Sequence, residues 1–296
     1  MKIKIIFAFV IVMALIGILL IPSPIGEYVF FGVFSILTIL ASYEILKTIK
    51  TDKIKLIDII FLTVSVISLF SVLIMYTFFA YFFPYPLFIV FVVPIISLVL
   101  QRKNNTTLNV VLVGTTFVGM GFAGLIFLRH LGVYVVIYLF IVTMVTDSCA
   151  QLGGMLFGKR KLAPNISPKK TIEGAIVGTV LGTTIASIFG ILLGALTSGD
   201  GYLSQLINPD KLDTILSMVI SNKVLAIVLI IIISFCASIV GQIGDLIASK
   251  IKRMYNVKDY SNIIPGHGGI IDRFDSTLLV SIFFSVLVLI FFIFTL

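Results

Sequence analysis

Apolar residues in this chain come in long unbroken runs rather than in stripes. Runs of about 18 or more recur, enough for a helix rising about 1.5 Å per residue to cross about 30 Å of hydrocarbon. They predict nine spans, at 5–21, 25–46, 56–80, 84–101, 108–128, 131–152, 172–197, 222–249 and 275–296. Most of these lack the polar face that a soluble helix would show at its 3.6-residue period. The expected fold is an all-α polytopic membrane protein of about nine transmembrane helices. An N-terminal region, 1–128, carries no overt motif, whereas 129–296 holds two loops with unusual polar content.

Composition agrees, with 59% hydrophobic and 11% charged residues. The basic residues set the orientation. With the N-terminus in the cytoplasm, all of the 21 lysines and arginines except Arg129, Lys211 and Lys223 fall on the cytoplasmic side. This is the positive-inside arrangement, and it accounts for the net charge of +8 without a nucleic-acid partner. The run after Lys4 reaches Ile21 without a small-residue cleavage site, so the first span is expected to be retained. Cys149 and Cys236 lie within apolar runs and are expected to be free thiols.

The first unusual loop runs from Thr146 to Gly174. It holds Asp147, Gly153, Gly154, Gly158, a Lys-Arg-Lys run and then Ser167-Pro168-Lys169-Lys170. Serine followed by proline predicts a helix start, with Ser167 as N-cap and Pro168 in the first helical position. Lys169 and Lys170 beside free helical N–H groups would make an anion site. A plain positive-inside loop with a routine helix start is the alternative.

The second loop, Gly241 to Ser276, gathers five of the 21 basic and four of the 13 acidic residues. Ionisable groups beside membrane helices are costly to desolvate, which marks a functional site. Asp245, Ser249 and Lys252 share one helical face. Asp272 and Asp275 share another if the last span begins there, and carboxylates on two helix ends can act as hard oxygen ligands. Mg²⁺ characteristically takes one or two carboxylates plus substrate phosphates. Pro265-Gly266-His267-Gly268-Gly269 is a backbone segment open to close phosphate approach. An ion-paired interfacial loop with Gly-rich turns is the alternative. Together these residues point to a Mg²⁺-dependent enzyme acting on phosphorylated groups at the cytoplasmic face.

The second loop resembles the phosphatidate cytidylyltransferases, or CDP-diacylglycerol synthases. Ser249, Lys252-Arg253, Lys258-Asp259, Ser261, Pro265, His267-Gly268-Gly269, Asp272-Arg273 and Asp275 match that family's pattern at every defined position. Ser167-Pro168-Lys169-Lys170-Thr171, Glu173 and Gly174 are similar to it as well. Gln151 and Gly154 depart, since the family often has Tyr and Arg there.

The resemblance implies transfer of CMP from CTP to phosphatidate, with release of pyrophosphate. It implies Mg²⁺, with a second cation left open. Asp245 and Asp272 would be metal ligands, with Asp275 and Asp147 as further candidates. Ser249, Lys252 and Arg253 would be catalytic. Lys169, Lys170, Lys258, His267, Gly268, Gly269 and Arg273 would bind substrate. It also implies membrane lipid as partner, a homodimer, and a cytoplasmic-membrane location. Two rivals remain: a CTP-dependent lipid-alcohol kinase, and an ion-coupled transporter, which would place carboxylates near the bilayer midplane in repeated halves.

Overall fold

The computed structural model describes residues 13–48, 106–197, 223–261, 263 and 268–295. Six helices and one hairpin make up most of this: α1 (Ile25–Thr48), α2 (Thr106–Leu131), α3 (Val133–Phe157), β1 (Lys161–Ala163), β2 (Ser167–Thr171), α4 (Ile172–Thr197), α5 (Lys223–Met254) and α6 (Ile271–Thr295). Among the described residues, four helices are long and apolar enough to cross a membrane: Ile25–Thr48, Val133–Phe157, Ile172–Leu192 and Val224–Met254. The protein is therefore a mostly helical integral membrane protein. The spans expected at 56–80 and 84–101 lie outside the described residues, and that at 5–21 is described only from 13 onward, with helix over 13–19.

The helix ends bear on the site. α5 continues past the expected 249 to Met254, so Asp245, Ser249, Lys252 and Arg253 all lie on it. α6 begins at Ile271, ahead of the expected 275, which puts Asp272 in its first turn.

Two expectations are corrected. The fold is not purely α, because β1 and β2 pair antiparallel with Ala163 opposite Ser167. Ser167-Pro168 does not start a helix, because both residues belong to β2. The three residues between the strands make the turn, closed by Ile166 N–H donating to Ala163 O at 3.2 Å. Proline is tolerated in a two-stranded edge, where its missing N–H is not needed. The true cap is Thr171, whose Oγ1 accepts from Gly174 N at 3.1 Å.

The chain divides into two compact units, residues 1–127 with 251–278, and residues 128–250 with 279–296. In the first, Phe34 touches Phe30, Phe122 and Phe274 at ring-centroid distances of 4.1, 5.9 and 6.1 Å. This aromatic cluster joins α1, α2 and the start of α6.

In the second, small and hydroxylated residues bring α3, α4 and α5 together, as apolar lipid offers no hydrophobic drive for helix association. Gly174, Gly178 and Gly182 recur every fourth residue along α4. A Cβ at Gly174 would lie 2.5 Å from Ala150 O, one at Gly178 2.7 Å from Thr146 O, and one at Gly182 would clash with Thr146 Oγ1. Across to α5, Thr146 donates to Ser238 at 3.1 Å, Ser187 to Ser234 at 3.1 Å, and Gln242 Nε2 to Thr179 at 2.9 Å.

Candidate active site

One polar cluster belongs to the second unit. The hairpin delivers Lys170 to Asp245 on α5, with Nζ 2.5 Å from Oδ2. Ser249, one turn further along α5, donates to Oδ1 of the same carboxylate at 3.2 Å. The Lys170 and Asp245 side chains keep 25% and 26% of their surface exposed, so a ligand can reach them. Glu173, in the first turn of α4, holds the loop that leads into the hairpin. Its carboxylate accepts from Lys159 N at 3.0 Å, from Arg160 N at 3.1 Å and from Arg160 Nε at 3.1 Å. Lys169 is exposed on β2, and Asp147 is half-buried on α3. A Cβ at Gly154 would lie 2.9 Å from Thr171 Oγ1, so glycine here leaves room for the capping hydroxyl.

A second cluster belongs to the first unit. Asp272 has a nearly buried side chain, 4% exposed, and accepts from Lys252 Nζ at 2.7 Å through Oδ1. Its Oδ2 accepts from Tyr260 N and from Gly269 N, both at 2.9 Å. The Lys252 ammonium also lies 5.5 Å from the centroid of the Tyr260 ring. Burial pushes the Tyr260 phenol well up from its ordinary value, and Asp272, Asp275 and Glu44 add to the shift, so the ring hydroxyl stays neutral. Gly268 has φ +84, the left-handed region, and a Cβ there would lie 2.9 Å from Asp272 Oδ2. Arg253 Nη1 donates to Val257 O at 3.1 Å, tying down the chain beyond the end of α5. Lys258 and Arg273 are exposed, and Asp275 is half-buried. His267 lies outside the described residues.

Asp245 and Asp272 thus each face a lysine of their own unit. Among the described residues, no three Asp, Glu, His or Cys side chains come together as a protein-only metal cage. A divalent cation completed by substrate phosphates needs no such cage. Asp245 suits that role, with a hard, part-exposed carboxylate already facing a cation. Asp272 accepts three hydrogen bonds from the chain itself, so it has a structural task whatever else it binds.

A cytidylyltransferase family profile matches residues 2–291. This chain belongs to that family. Curated relatives named phosphatidate cytidylyltransferase include one from Staphylococcus saprophyticus, 37% identical over 169 residues, covering 57% of this chain and 54% of the relative. One from Bacillus subtilis is 39% identical over 178 residues, covering 59% of this chain and 56% of the relative. The chain thus spans about half the length of the curated relatives it matches.

Within the two clusters, four residues escaped the sequence reading of the site: Thr171 as a cap, Glu173 as a loop clamp, Tyr260 as a packing ring, and Glu44. The last is an acidic residue fully buried on α1. Its only signal in the sequence is a carboxylate inside an apolar run.

Proposed function

We propose that this protein transfers CMP from CTP to phosphatidate, giving CDP-diacylglycerol and pyrophosphate. The observation that carries the reading is the similarity to proteins named phosphatidate cytidylyltransferase, together with family membership over 2–291. The paired Lys170–Asp245 and Lys252–Asp272 groups support it, since a site for polyanions needs cations held in place.

A phosphate oxygen of phosphatidate attacks the α-phosphorus of CTP. A new P–O bond forms there, the bond to the bridging oxygen of the β-phosphate breaks, and pyrophosphate leaves. The attacking oxygen is already ionised near neutral pH, so the chain's task is positioning and charge neutralisation. Lys170 and Lys252 are cations for the phosphates, with Arg253, Lys169, Lys258 and Arg273 as further contacts. Ser249, whose hydroxyl is donated to Asp245 in this structure, turns that proton to a phosphate when substrate binds. Mg²⁺ is the proposed cofactor, with Asp245 and Asp272 as its carboxylates, and it would neutralise the charge of the leaving pyrophosphate.

The proposed topology is nine helices with the N-terminus and the site at the cytoplasmic face, and the proposed assembly is a homodimer. The purified protein in detergent, given phosphatidate, Mg²⁺ and CTP labelled at the α-phosphorus, tests the reaction. Label should enter the lipid, and CTP labelled at the γ-phosphorus should label pyrophosphate alone. Lipid labelled from the γ-position would make the protein a kinase. No lipid label from either position, with ion-driven flux in liposomes, would make it a transporter.

A further inference from the structure

Glu44 lies near the C-terminal end of α1, where a transmembrane helix has no need of an acid for orientation, and it is fully buried. Its partners come from the segment between α5 and α6, more than 200 positions away in sequence. Oε1 accepts from Ser261 Oγ at 2.5 Å and from Ile270 N at 2.9 Å, and Oε2 accepts from Ile271 N at 3.1 Å. Ser261 Oγ in turn accepts from Ile263 N at 3.2 Å. One turn along α1, Thr48 Oγ1 lies 2.8 Å from Glu44 O and 3.3 Å from Tyr260 O.

These contacts have a common logic. The first N–H groups of a helix lack intrahelical partners, and the residue before the helix ordinarily supplies a side-chain oxygen. Ile270, the residue before α6, has an apolar side chain with no oxygen to offer, and the carboxylate comes instead from α1. A negative group at a helix N-terminus is also favoured by the helix dipole. The fit is close: a Cβ at Gly269 would lie 2.5 Å from Glu44 Oε2 and 2.7 Å from Oε1. Gly269 therefore makes room for the carboxylate that takes over the capping role from Ile270.

We infer that Glu44 is the positioning residue of the α5–α6 segment. By fixing Ser261 and the N–H groups of Ile270 and Ile271, it sets the first turn of α6 and with it the place of Asp272. The inference deepens the cytidylyltransferase reading and rests on it for its kinetic consequence, but its structural part stands independently. Glu44 packs against Gly269 but touches none of the expected charged substrate contacts among the described residues, and its effect passes through Asp272.

The experiment compares the wild type with Glu44→Ala, Glu44→Gln and Ser261→Ala, each purified in detergent. Two quantities are read: amide hydrogen exchange at Ile263 and over 268–273, and kcat and KM for CTP per folded molecule. Glu44→Ala should speed exchange at Ile270 and Ile271 selectively and lower kcat at least about tenfold, the scale of losing hydrogen bonds to a charged group. KM should change less than kcat. Glu44→Gln keeps one acceptor oxygen and should fall between wild type and Glu44→Ala. Ser261→Ala, which leaves the carboxylate intact, covers the case in which Glu44→Ala does not fold. It should raise exchange at Ile263 and reduce kcat more mildly.

Unchanged exchange over 268–273 in Glu44→Gln, together with unchanged exchange at Ile263 in Ser261→Ala, would overturn the inference, as would faster exchange spread evenly over the whole protein with kcat per folded molecule preserved. If the wild type itself transfers no CMP, the reaction reading fails, and the exchange comparison alone decides the role of Glu44.

Discussion

The Lys170 ammonium sits 2.5 Å from Oδ2 of Asp245, joining the β-hairpin to helix α5. The two segments are 75 residues apart in the chain, and this pair makes one site component of them. Both side chains are about a quarter exposed, so the pair adds little to stability, on the order of 1 kcal/mol or less. Its value lies in holding a cation ready. Lys170→Met should therefore lower kcat/KM for CTP by about tenfold or more while leaving the melting temperature nearly unchanged. Steady-state kinetics beside thermal unfolding in detergent checks this. Full activity in Lys170→Met would remove the lysine from the site.

The Lys252–Asp272 pair differs, since its side chains are only 11% and 4% exposed. Taking one partner from a buried pair costs about 3–5 kcal/mol, because the other charge stays behind uncompensated. Asp272→Asn should thus both unfold at lower temperature and lose nearly all turnover. Adding Lys252→Met to it should recover part of the stability and none of the activity. A double variant with restored turnover would show the pair to be structural alone.

Much of this architecture is legible along the chain. The described helices start and stop close to the apolar runs, as desolvation by lipid leaves little freedom in where a span ends. Asp245, Ser249 and Lys252 are legible because helical spacing aligns them. The hairpin is not, since Ser167-Pro168 satisfies the rules for a helix start and for an edge strand equally, and the turn before it decides. Glu44 is hidden for a different reason. Two of its three donors are backbone N–H groups, which any residue at Ile270 and Ile271 would supply, so no partner residue type marks it. Beyond the acid's own place in an apolar run, the glycine at 269 is the one trace of its partner segment, and it reads equally well as space for a phosphate.

Contact between α3 and α4 predicts a size threshold at Gly178. A Cβ there would lie 2.6 Å from Ala150 Cβ and 2.7 Å from the Thr146 carbonyl, and a backbone carbonyl cannot rotate away. Gly178→Ala should destabilise by about 1–3 kcal/mol, and Gly178→Leu should prevent recovery of folded protein. Thermal unfolding and size-exclusion chromatography check both. A Gly178→Leu protein that elutes and melts like the wild type would mean that the two helices do not meet there.

Orientation is testable with single cysteines at Ser204 and Asn256 in a chain freed of Cys149 and Cys236. The proposed nine-span topology, drawn from the positive-inside distribution, would put the two positions on opposite sides of the membrane, with Asn256 cytoplasmic. A membrane-impermeant thiol reagent added to intact cells should label the cysteine at 204 and not that at 256. Labelling of both, or of neither until the cells are opened, would sink the nine-span count.

The last prediction concerns metal removal. Asp245 and Asp272 each face a lysine of their own unit, at 2.5 and 2.7 Å, so their charges are balanced by the chain itself. A cation that the fold depended on would instead bind carboxylates having no other counter-charge. The two lysines therefore separate folding from catalysis: Mg²⁺ would enter with the phosphates of CTP, as expected of an ion that takes one or two carboxylates and completes its shell from substrate. A chelator should stop CMP transfer while leaving the melting temperature within experimental scatter. Mg²⁺ should stabilise the protein only when CTP is present, because an added ligand raises stability only in so far as it binds the folded state. Asp245→Asn should abolish that joint stabilisation. A melting temperature that falls on chelation with no nucleotide present would identify a resident structural ion and remove the lysines from the role of counter-charge.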